Sequence, residues 1–203
     1  MADYVIIGVH GLANKPEESE LKDWWRKSIL EGLERNEGRS ANRDIAFDLC
    51  YWRDWNYPDP VPTHQNDEPY IEAEGTGRLQ EYKENFWDTL REEAGDLLDT
   101  PLDWMKRSLG IEETVQAALG LKFADLALYY DNEEKRNQLR SRLEKIILKH
   151  EGSRMMVIAH SMGSIIAYDV LRRLGRTHRD LRVDHLVTLG SPLGIPHVKF
   201  KIW

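Results

Sequence analysis

A serine lies between an apolar, strand-like run and an apolar, helix-like run in the last quarter of the chain. Residues 157–166 read VIAHSMGSII, so that Ser161 has Ala159 two positions before it and Gly163 two positions after it. A tight turn from a strand into a helix requires small residues there, because larger ones would collide with the adjoining elements. Such a turn exposes the hydroxyl at a helix N-terminus, where free amides stabilise negative charge. We therefore predict that Ser161 is a nucleophile; the alternative is a serine that only caps the helix.

A second segment supplies backbone amides that would complete such a site. The oxyanion formed by attack on a carbonyl needs two N–H donors, one following the nucleophile and one from the loop after an earlier strand. Residues 9–13, VHGLA, form such a loop after the first strand-like run. We predict the backbone N–H groups of Leu12 and Met162 as the oxyanion-hole donors. His10 and His160 stand beside these turns, and we expect them to brace and pack rather than to transfer protons.

The elements that must position these residues alternate along the chain. Apolar or β-branched runs at 4–10, 45–52, 155–160 and 184–190 predict strands. The first, third and fourth are near-continuously apolar, which is typical of strands buried on both faces of a parallel sheet. Helical spacing of apolar residues predicts helices over 17–35 and 133–150, and a third that begins near Met162. This order predicts an α/β fold, a three-layer sandwich with a mainly parallel sheet, in a single domain over residues 1–203.

A long segment, residues 53–131, separates the second strand from the next predicted helix. Its length far exceeds the usual connection of about 2–6 residues, so we predict a helical insertion there. Apolar spacing indicates helices near 76–98, 101–109 and 112–129. The insertion leaves the sheet at the edge where Ser161 is expected, so that it is a candidate cap. Trp52, Trp55 and Tyr57 at its beginning are candidate substrate-binding residues that line an apolar acyl pocket. The alternative is that these aromatic residues only staple a long loop to the body.

Three segments occur together in an order that resembles a known superfamily. The AHSMG turn around Ser161, the VHGL loop around Leu12 and the LGSPLG turn at 189–194 resemble the α/β-hydrolase superfamily in its lipase- and esterase-like branch. Ala159 stands where that family usually has glycine. The resemblance implies a serine hydrolase that cleaves a carboxylic ester of a small molecule or lipid through an acyl intermediate on Ser161. The alternative is a non-catalytic, hydrolase-like module for binding or scaffolding.

The acid and base that this resemblance implies are not evident after Ser161. The superfamily order is serine, then Asp or Glu, then His, whereas Asp169 falls within the third helix and Asp180 and Asp184 precede the fourth strand. A truncated chain, a partner chain and a degenerate enzyme are three explanations, and the apolar, basic ending at 198–203 favours truncation. Such a chain would expose an unpaired C-terminal sheet edge that is open to self-association.

Composition and charge limit the classes of partner and cofactor that we expect for this chain. The 203 residues carry 28 basic and 35 acidic side chains, a formal net charge of −7, and phosphate backbones attract the opposite sign, so we expect no nucleic-acid partner. No apolar run approaches the roughly 20 residues that cross a bilayer, so we expect no stable membrane insertion. Without zinc-ligand spacing or a phosphate-binding loop, we expect no metal or other cofactor. The single cysteine, Cys50, lies in an apolar run, which suits a reducing compartment, and we expect a cytoplasmic protein.

Overall fold

A four-stranded parallel sheet forms the centre of the molecule. The computed structural model describes residues 4–12, 14–37, 45–62, 70, 126, 128–194 and 198. The strands are β1 (Tyr4–Val9), β2 (Ala46–Cys50), β3 (Arg154–His160) and β4 (His185–Leu189). They lie in the order β2-β1-β3-β4, and every neighbouring pair is parallel. The predicted parallel sheet is confirmed, with strand bounds within two residues of those expected from the apolar runs.

Three helices whose bounds lie in the described ranges pack on this sheet. They are α1 (Glu18–Glu37), α2 (Glu133–Lys149) and α3 (Met162–Thr177), and two single turns of 3₁₀ helix lie at Arg53–Trp55 and Pro192–Gly194. The predicted helices at 76–98 and 101–109 lie outside the described residues. Of the one predicted at 112–129, only 126, 128 and 129 are described, and these are helical. The predicted insertion and its role as a cap therefore stay predictions. No helix in the described ranges is long and apolar enough to cross a membrane.

Helices cover both faces of the sheet. Side chains alternate along each strand, so Val5 and Ile7 face α2 and α3 while Ile6 between them faces α1. The α2–α3 side holds the larger buried cluster, which includes the Cys50 thiol from β2. The α1 side is smaller and packs Leu21 of the helix against Phe47. Apolar burial on both faces is the physical reason that β1 and β3 read as continuous apolar runs, and the predicted three-layer α/β architecture is confirmed.

The two edges of the described sheet differ in character. At the β4 edge, Leu186, Val187 and Leu189 remain 40%, 37% and 48% exposed. At the β2 edge, Oδ1 of Asp48 accepts from the ammonium of Lys22 at 3.2 Å. Oδ2 of the same carboxylate accepts from the ammonium of Lys149 at 2.9 Å and lies 2.7 Å from His150 Nε2. These charged groups tie the ends of α1 and α2 across the β2 edge.

The self-association expected at the C-terminal edge stays a prediction. Leu186, Val187 and Leu189 of β4 are exposed in the described sheet. Of the ending at 195–203, only Val198 is described, and its side chain is buried in the cluster between the sheet and the α2–α3 layer.

The Asp48 cluster generates a pH-dependent prediction. Burial alone would raise the pKa of the Asp48 carboxyl, but the hydrogen bonds from His150, Lys149 and Lys22 hold it well below its ordinary value. Because the folded-state pKa lies below the unfolded value near ~4, this stabilisation is complete above that pH and is lost as the pH falls further. We expect Asp48→Asn to lower the free energy of unfolding at pH 7 by about 1 kcal/mol.

The measurement is urea denaturation of both proteins between pH 7 and pH 3. The variant should lose less stability than the wild type below about pH 5. Asp180→Asn, which removes an exposed carboxyl in the turn after α3, is the matched control and should keep the wild-type slope. Identical pH dependence in Asp48→Asn and the wild type would contradict the assignment.

Candidate active site

Ser161 occupies a strained turn between β3 and α3. Its φ of 50° and ψ of −125° make it the one residue other than glycine with a positive φ in the described part of the chain. Such a conformation costs about 1–3 kcal/mol and persists only where neighbouring structure imposes it. Ser161 is also the N-cap residue of α3, yet its side chain makes no capping hydrogen bond. The hydroxyl is therefore not used in the way that the simple capping alternative requires.

Gly163 explains why the chain turns so tightly. A Cβ atom on this residue would lie 2.6 Å from the carbonyl oxygen of His10 and closer still to that of Val9. Only a residue without a side chain lets the first turn of α3 approach the end of β1 this closely. On the other side of the turn, Ala159 is fully buried between Val9 and Thr188 of the adjacent strands. The small residues around Ser161 thus meet the steric demand from which the turn was predicted.

The loop after β1 contacts the turn directly. A Cβ atom on Gly11 would lie 2.9 Å from the Cβ of Ser161 and 2.9 Å from Nδ1 of His160. Leu12 follows Gly11 and packs partly buried against the core. Met162 is the first residue of α3, so its N–H belongs to the first-turn amides that have no partner within the helix. The structure brings the two predicted oxyanion segments to Ser161, and the roles of the Leu12 and Met162 amides stay predictions.

His10 braces this loop as a neutral imidazole. The Trp52 backbone N–H donates to His10 Nε2 at 2.9 Å, so Nε2 must be the accepting nitrogen. Nδ1 therefore carries the proton and donates to the Gly11 carbonyl at 2.9 Å. The ring stacks on Trp52 with 4.6 Å between centroids. Complete burial lowers the pKa of His10 to about 3, because the charged form loses its hydration. His10 is thereby occupied in positioning backbone, as expected from its place before the loop.

The aromatic residues predicted to bind substrate lie in and beside the core. Trp52 and Trp55 are buried, and their indole N–H groups donate to the carbonyls of His10 (3.0 Å) and Lys135 (2.8 Å). Tyr57 is half-buried, and its carbonyl accepts from Arg53 at 2.7 Å. These contacts fix the chain after β2 to β1 and α2, which is what the stapling alternative describes. A role of the three aromatic residues in lining an acyl pocket stays a prediction.

The acidic residues after Ser161 lie away from the turn. Asp169 is two helical turns along α3, about 12 Å at 1.5 Å per residue, and binds Arg140 (2.7 Å) and Tyr129 (2.5 Å). Asp184 accepts from the Met155 backbone N–H at 2.8 Å, at the opposite end of β3. Neither of these two carboxylates therefore lies beside the Ser161 hydroxyl.

The histidines after Ser161 do not complete the site in the described ranges. His178 caps the C-terminal end of α3 and His185 begins β4, both at the end of the sheet away from Ser161. His197 lies outside the described residues. Among the residues that the structure does describe, none hydrogen-bonds the Ser161 hydroxyl. The base for a nucleophilic serine is not assigned by these contacts.

Two serines that sequence reasoning missed lie directly behind the turn. The fully buried Ser164 places its hydroxyl 2.6 Å from the Ser161 carbonyl oxygen and 2.8 Å from the Ser191 hydroxyl. Ser164 is the third residue of α3 and Ser191 follows β4, so 27 positions separate them. The only sequence signal was that both lie within segments that resemble the superfamily.

The neutral state of His10 yields a spectroscopic prediction. With a pKa of about 3, its imidazole should remain uncharged at pH 5, whereas an exposed histidine with the reference value near ~6.5 is mostly protonated there. Nitrogen-detected NMR of ¹⁵N-histidine-labelled protein should show the Nδ1–H form of His10 at both pH 7 and pH 5. Protonation of His10 between these values in folded protein would contradict the hydrogen-bond assignment.

The close approach at Gly163 yields a stability prediction. Gly163→Ala should lower the free energy of unfolding by about 2 kcal/mol or more, because the new methyl group meets backbone that cannot move aside. Gly175→Ala is the matched control in the same helix, where a Cβ would meet nothing within 4 Å, and should raise stability by up to about 1 kcal/mol. Urea denaturation measures both. Equal stability of Gly163→Ala and the wild type would show that the approach is looser than described.

Comparison with known proteins agrees with this arrangement. Residues 124–197 match the model of a family described as lecithin:cholesterol acyltransferase. The matched region is just over a third of the chain and contains β3, the Ser161 turn, α3, β4 and the turn that holds Ser191. No curated protein and no solved structure matches the chain. The family match supports the resemblance to the α/β-hydrolase superfamily and, at the same coarse level, an enzymatic function.

Proposed function

We propose that this chain is a serine hydrolase that cleaves carboxylic esters, with lipid acyl esters as the substrate class, through an acyl intermediate on Ser161. The observation that carries the proposal is the state of Ser161. It sits in a strained turn at the start of a helix and leaves its hydroxyl out of the capping bond that a serine at this position ordinarily makes. The lipid substrate class is supported by the family match, whose description names an acyltransferase of lecithin and cholesterol.

In the proposed reaction, the Ser161 oxygen attacks the carbonyl carbon of the ester and the carbonyl electron pair moves onto oxygen. The hydroxyl proton passes to a base and then to the departing alcohol as the carbon–oxygen bond to that alcohol breaks. The acyl group remains on Ser161 until water takes the place of the alcohol and releases the acid. The base is a further residue that the described contacts do not assign.

The backbone around Ser161 would stabilise the negative charge that develops in this reaction. α3 begins at Met162, and an α-helix places about half a unit of positive charge at its N-terminus. The Met162 amide belongs to this first turn, and the Leu12 amide comes from the loop whose Gly11 packs on Ser161. Two donors of this kind contribute several powers of ten to acyl transfer, since each is typically worth about 10²–10³ in rate.

The acceptor of the acyl group distinguishes hydrolysis from transfer. Both reactions share the acyl-Ser161 intermediate, and they differ only in whether water or an alcohol attacks it. The name of the matched family favours an alcohol as a second possible acceptor. Turnover of a p-nitrophenyl acyl ester with and without a long-chain alcohol or a sterol, followed by analysis of the lipid products, separates the two. A new ester product would identify transfer, and free fatty acid alone would identify hydrolysis.

The nucleophile assignment is tested with a fluorophosphonate probe, which phosphorylates activated serines. We expect the wild type to be labelled at Ser161 and Ser161→Ala to lose the label. The free energy of unfolding should change by less than about 1 kcal/mol, because removing one hydroxyl deletes no core volume. Ser141→Ala, on α2 outside the site, is the control and should be labelled like the wild type. Peptide mass spectrometry of the labelled protein checks the position.

Two outcomes would contradict this proposal in different ways. Undiminished labelling or esterase activity of Ser161→Ala would mean that another residue is the nucleophile. A folded wild type that neither reacts with the probe nor turns over any p-nitrophenyl ester would favour the alternative, a non-catalytic module of hydrolase-like fold.

A further inference from the structure

The backbone of Ser161 is held by the end of β4 on one side and by Ser164 of α3 on the other. The Ser161 N–H donates to the Leu189 carbonyl at 2.8 Å, which extends the β3–β4 ladder by one bond. The Ser161 carbonyl accepts from the Ser164 N–H at 3.0 Å and from the Ser164 hydroxyl at 2.6 Å. The first two bonds are backbone bonds that many sequences would make. The hydroxyl bond depends on the identity of residue 164.

The direction of every bond behind this hydroxyl can be assigned. A carbonyl only accepts, so the single proton of the Ser164 hydroxyl points at the Ser161 oxygen. Ser164 must then accept from Ser191, whose hydroxyl lies 2.8 Å away. The Ser191 oxygen in turn accepts from the Leu193 N–H at 3.3 Å. Four groups therefore form one directed chain that begins in the turn after β4 and ends on the Ser161 carbonyl.

The carbonyl at the end of this chain shares a peptide unit with the Met162 N–H. A trans peptide is planar, so its C=O and N–H point in opposite directions and rotate together. A bond that draws the Ser161 oxygen towards Ser164 therefore aims the Met162 N–H away from the helix. Any tilt of this peptide would move the amide away from the position of the oxyanion.

We propose that Ser164 and Ser191 are positioning residues, which orient the Ser161–Met162 peptide and thereby set the oxyanion donor for the nucleophile. This inference rests on the proposed function, because it assigns a role relative to the acyl-transfer site. Ser164 is completely buried, so its hydroxyl depends on this chain of hydrogen bonds rather than on water. Both hydroxyls find protein partners in it, and neither touches the substrate in this role.

A serine that only packs in the core would behave differently from a positioning serine. Its loss would lower stability without changing the reactivity of the molecules that remain folded. A misaligned donor would instead lower reactivity in fully folded protein, because a displacement of about 1 Å at such a group can cost as much as 100-fold in rate. Reactivity of the folded population, normalised by the unfolding curve of each variant, is thus the deciding measurement.

The experiment compares the second-order rate constant of fluorophosphonate labelling in the wild type, Ser164→Ala, Ser191→Ala and Ser191→Thr, at a temperature where each is folded. We expect Ser164→Ala to label at least about tenfold more slowly and Ser191→Ala to show a smaller loss. Ser191→Thr keeps a hydroxyl and should restore most of the rate. The double variant Ser164→Ala/Ser191→Ala should have a labelling rate constant within about twofold of that of Ser164→Ala, because both changes break the same chain of hydrogen bonds. For p-nitrophenyl esters, the loss should appear in kcat with KM unchanged.

A second readout does not depend on reactivity. Amide hydrogen exchange at positions 161 and 164 should accelerate in Ser164→Ala, while exchange at Val170, in the middle of the same helix, should stay at the wild-type rate. Should Ser164→Ala fail to fold, the Ser191→Ala and Ser191→Thr pair decides the matter.

Wild-type labelling rates in folded Ser164→Ala and Ser191→Ala would overturn this inference and leave the proposed function standing. A wild type that the probe does not label would overturn the proposed function and this inference with it.

Discussion

The packing of Gly163 against the carbonyl groups of Val9 and His10 is the contact on which the candidate site depends. It brings the first turn of α3 onto the end of β1, and this forces the chain at Ser161 into a positive φ. The strain at Ser161 is only about 1–3 kcal/mol, which buried apolar strands on either side can easily sustain. A side chain at residue 163 would push the helix outward, and the loop that carries Gly11 would lose its contact with Ser161.

His10 and Ser164, two buried polar side chains beside the turn, each hydrogen-bond backbone groups. His10 holds the Gly11 carbonyl and the Trp52 N–H, and the chain of hydrogen bonds from Leu193 ends on the Ser161 carbonyl. A hydrogen bond in such a poorly hydrated place is electrostatically stronger than one in water, and an unpaired group there costs more. Keeping His10 neutral avoids a buried charge. The result is a set of amides and carbonyls around Ser161 that are held in fixed directions.

The fold was predictable because its signals are local and redundant. The buried strands read as unbroken apolar runs, and the small residues beside Ser161 reflect a steric demand within five consecutive positions. The hydrogen bond between Ser164 and Ser191 could not be predicted from the sequence. It depends on the pairing of β4 with β3, which places Leu189 beside His160. For Trp52 and Trp55 the sequence pattern was ambiguous in principle, since the walls of a core and of an acyl pocket need the same apolar aromatic surface. Their indole hydrogen bonds to the carbonyls of His10 and Lys135 depend on the tertiary fold, which the local sequence around either residue does not specify.

The buried thiol of Cys50 gives this chain a built-in chemical reporter of opening. Burial raises its pKa to about 12, so in the folded molecule the sulfur is both shielded and protonated, and thiol reagents attack the thiolate. The chain has no other cysteine, so each modification event counts one molecule in which the end of β2 has come away from the core. Because Trp52 follows that strand end and stacks on His10, alkylation kinetics would record how often the scaffold behind Ser161 comes apart under native conditions.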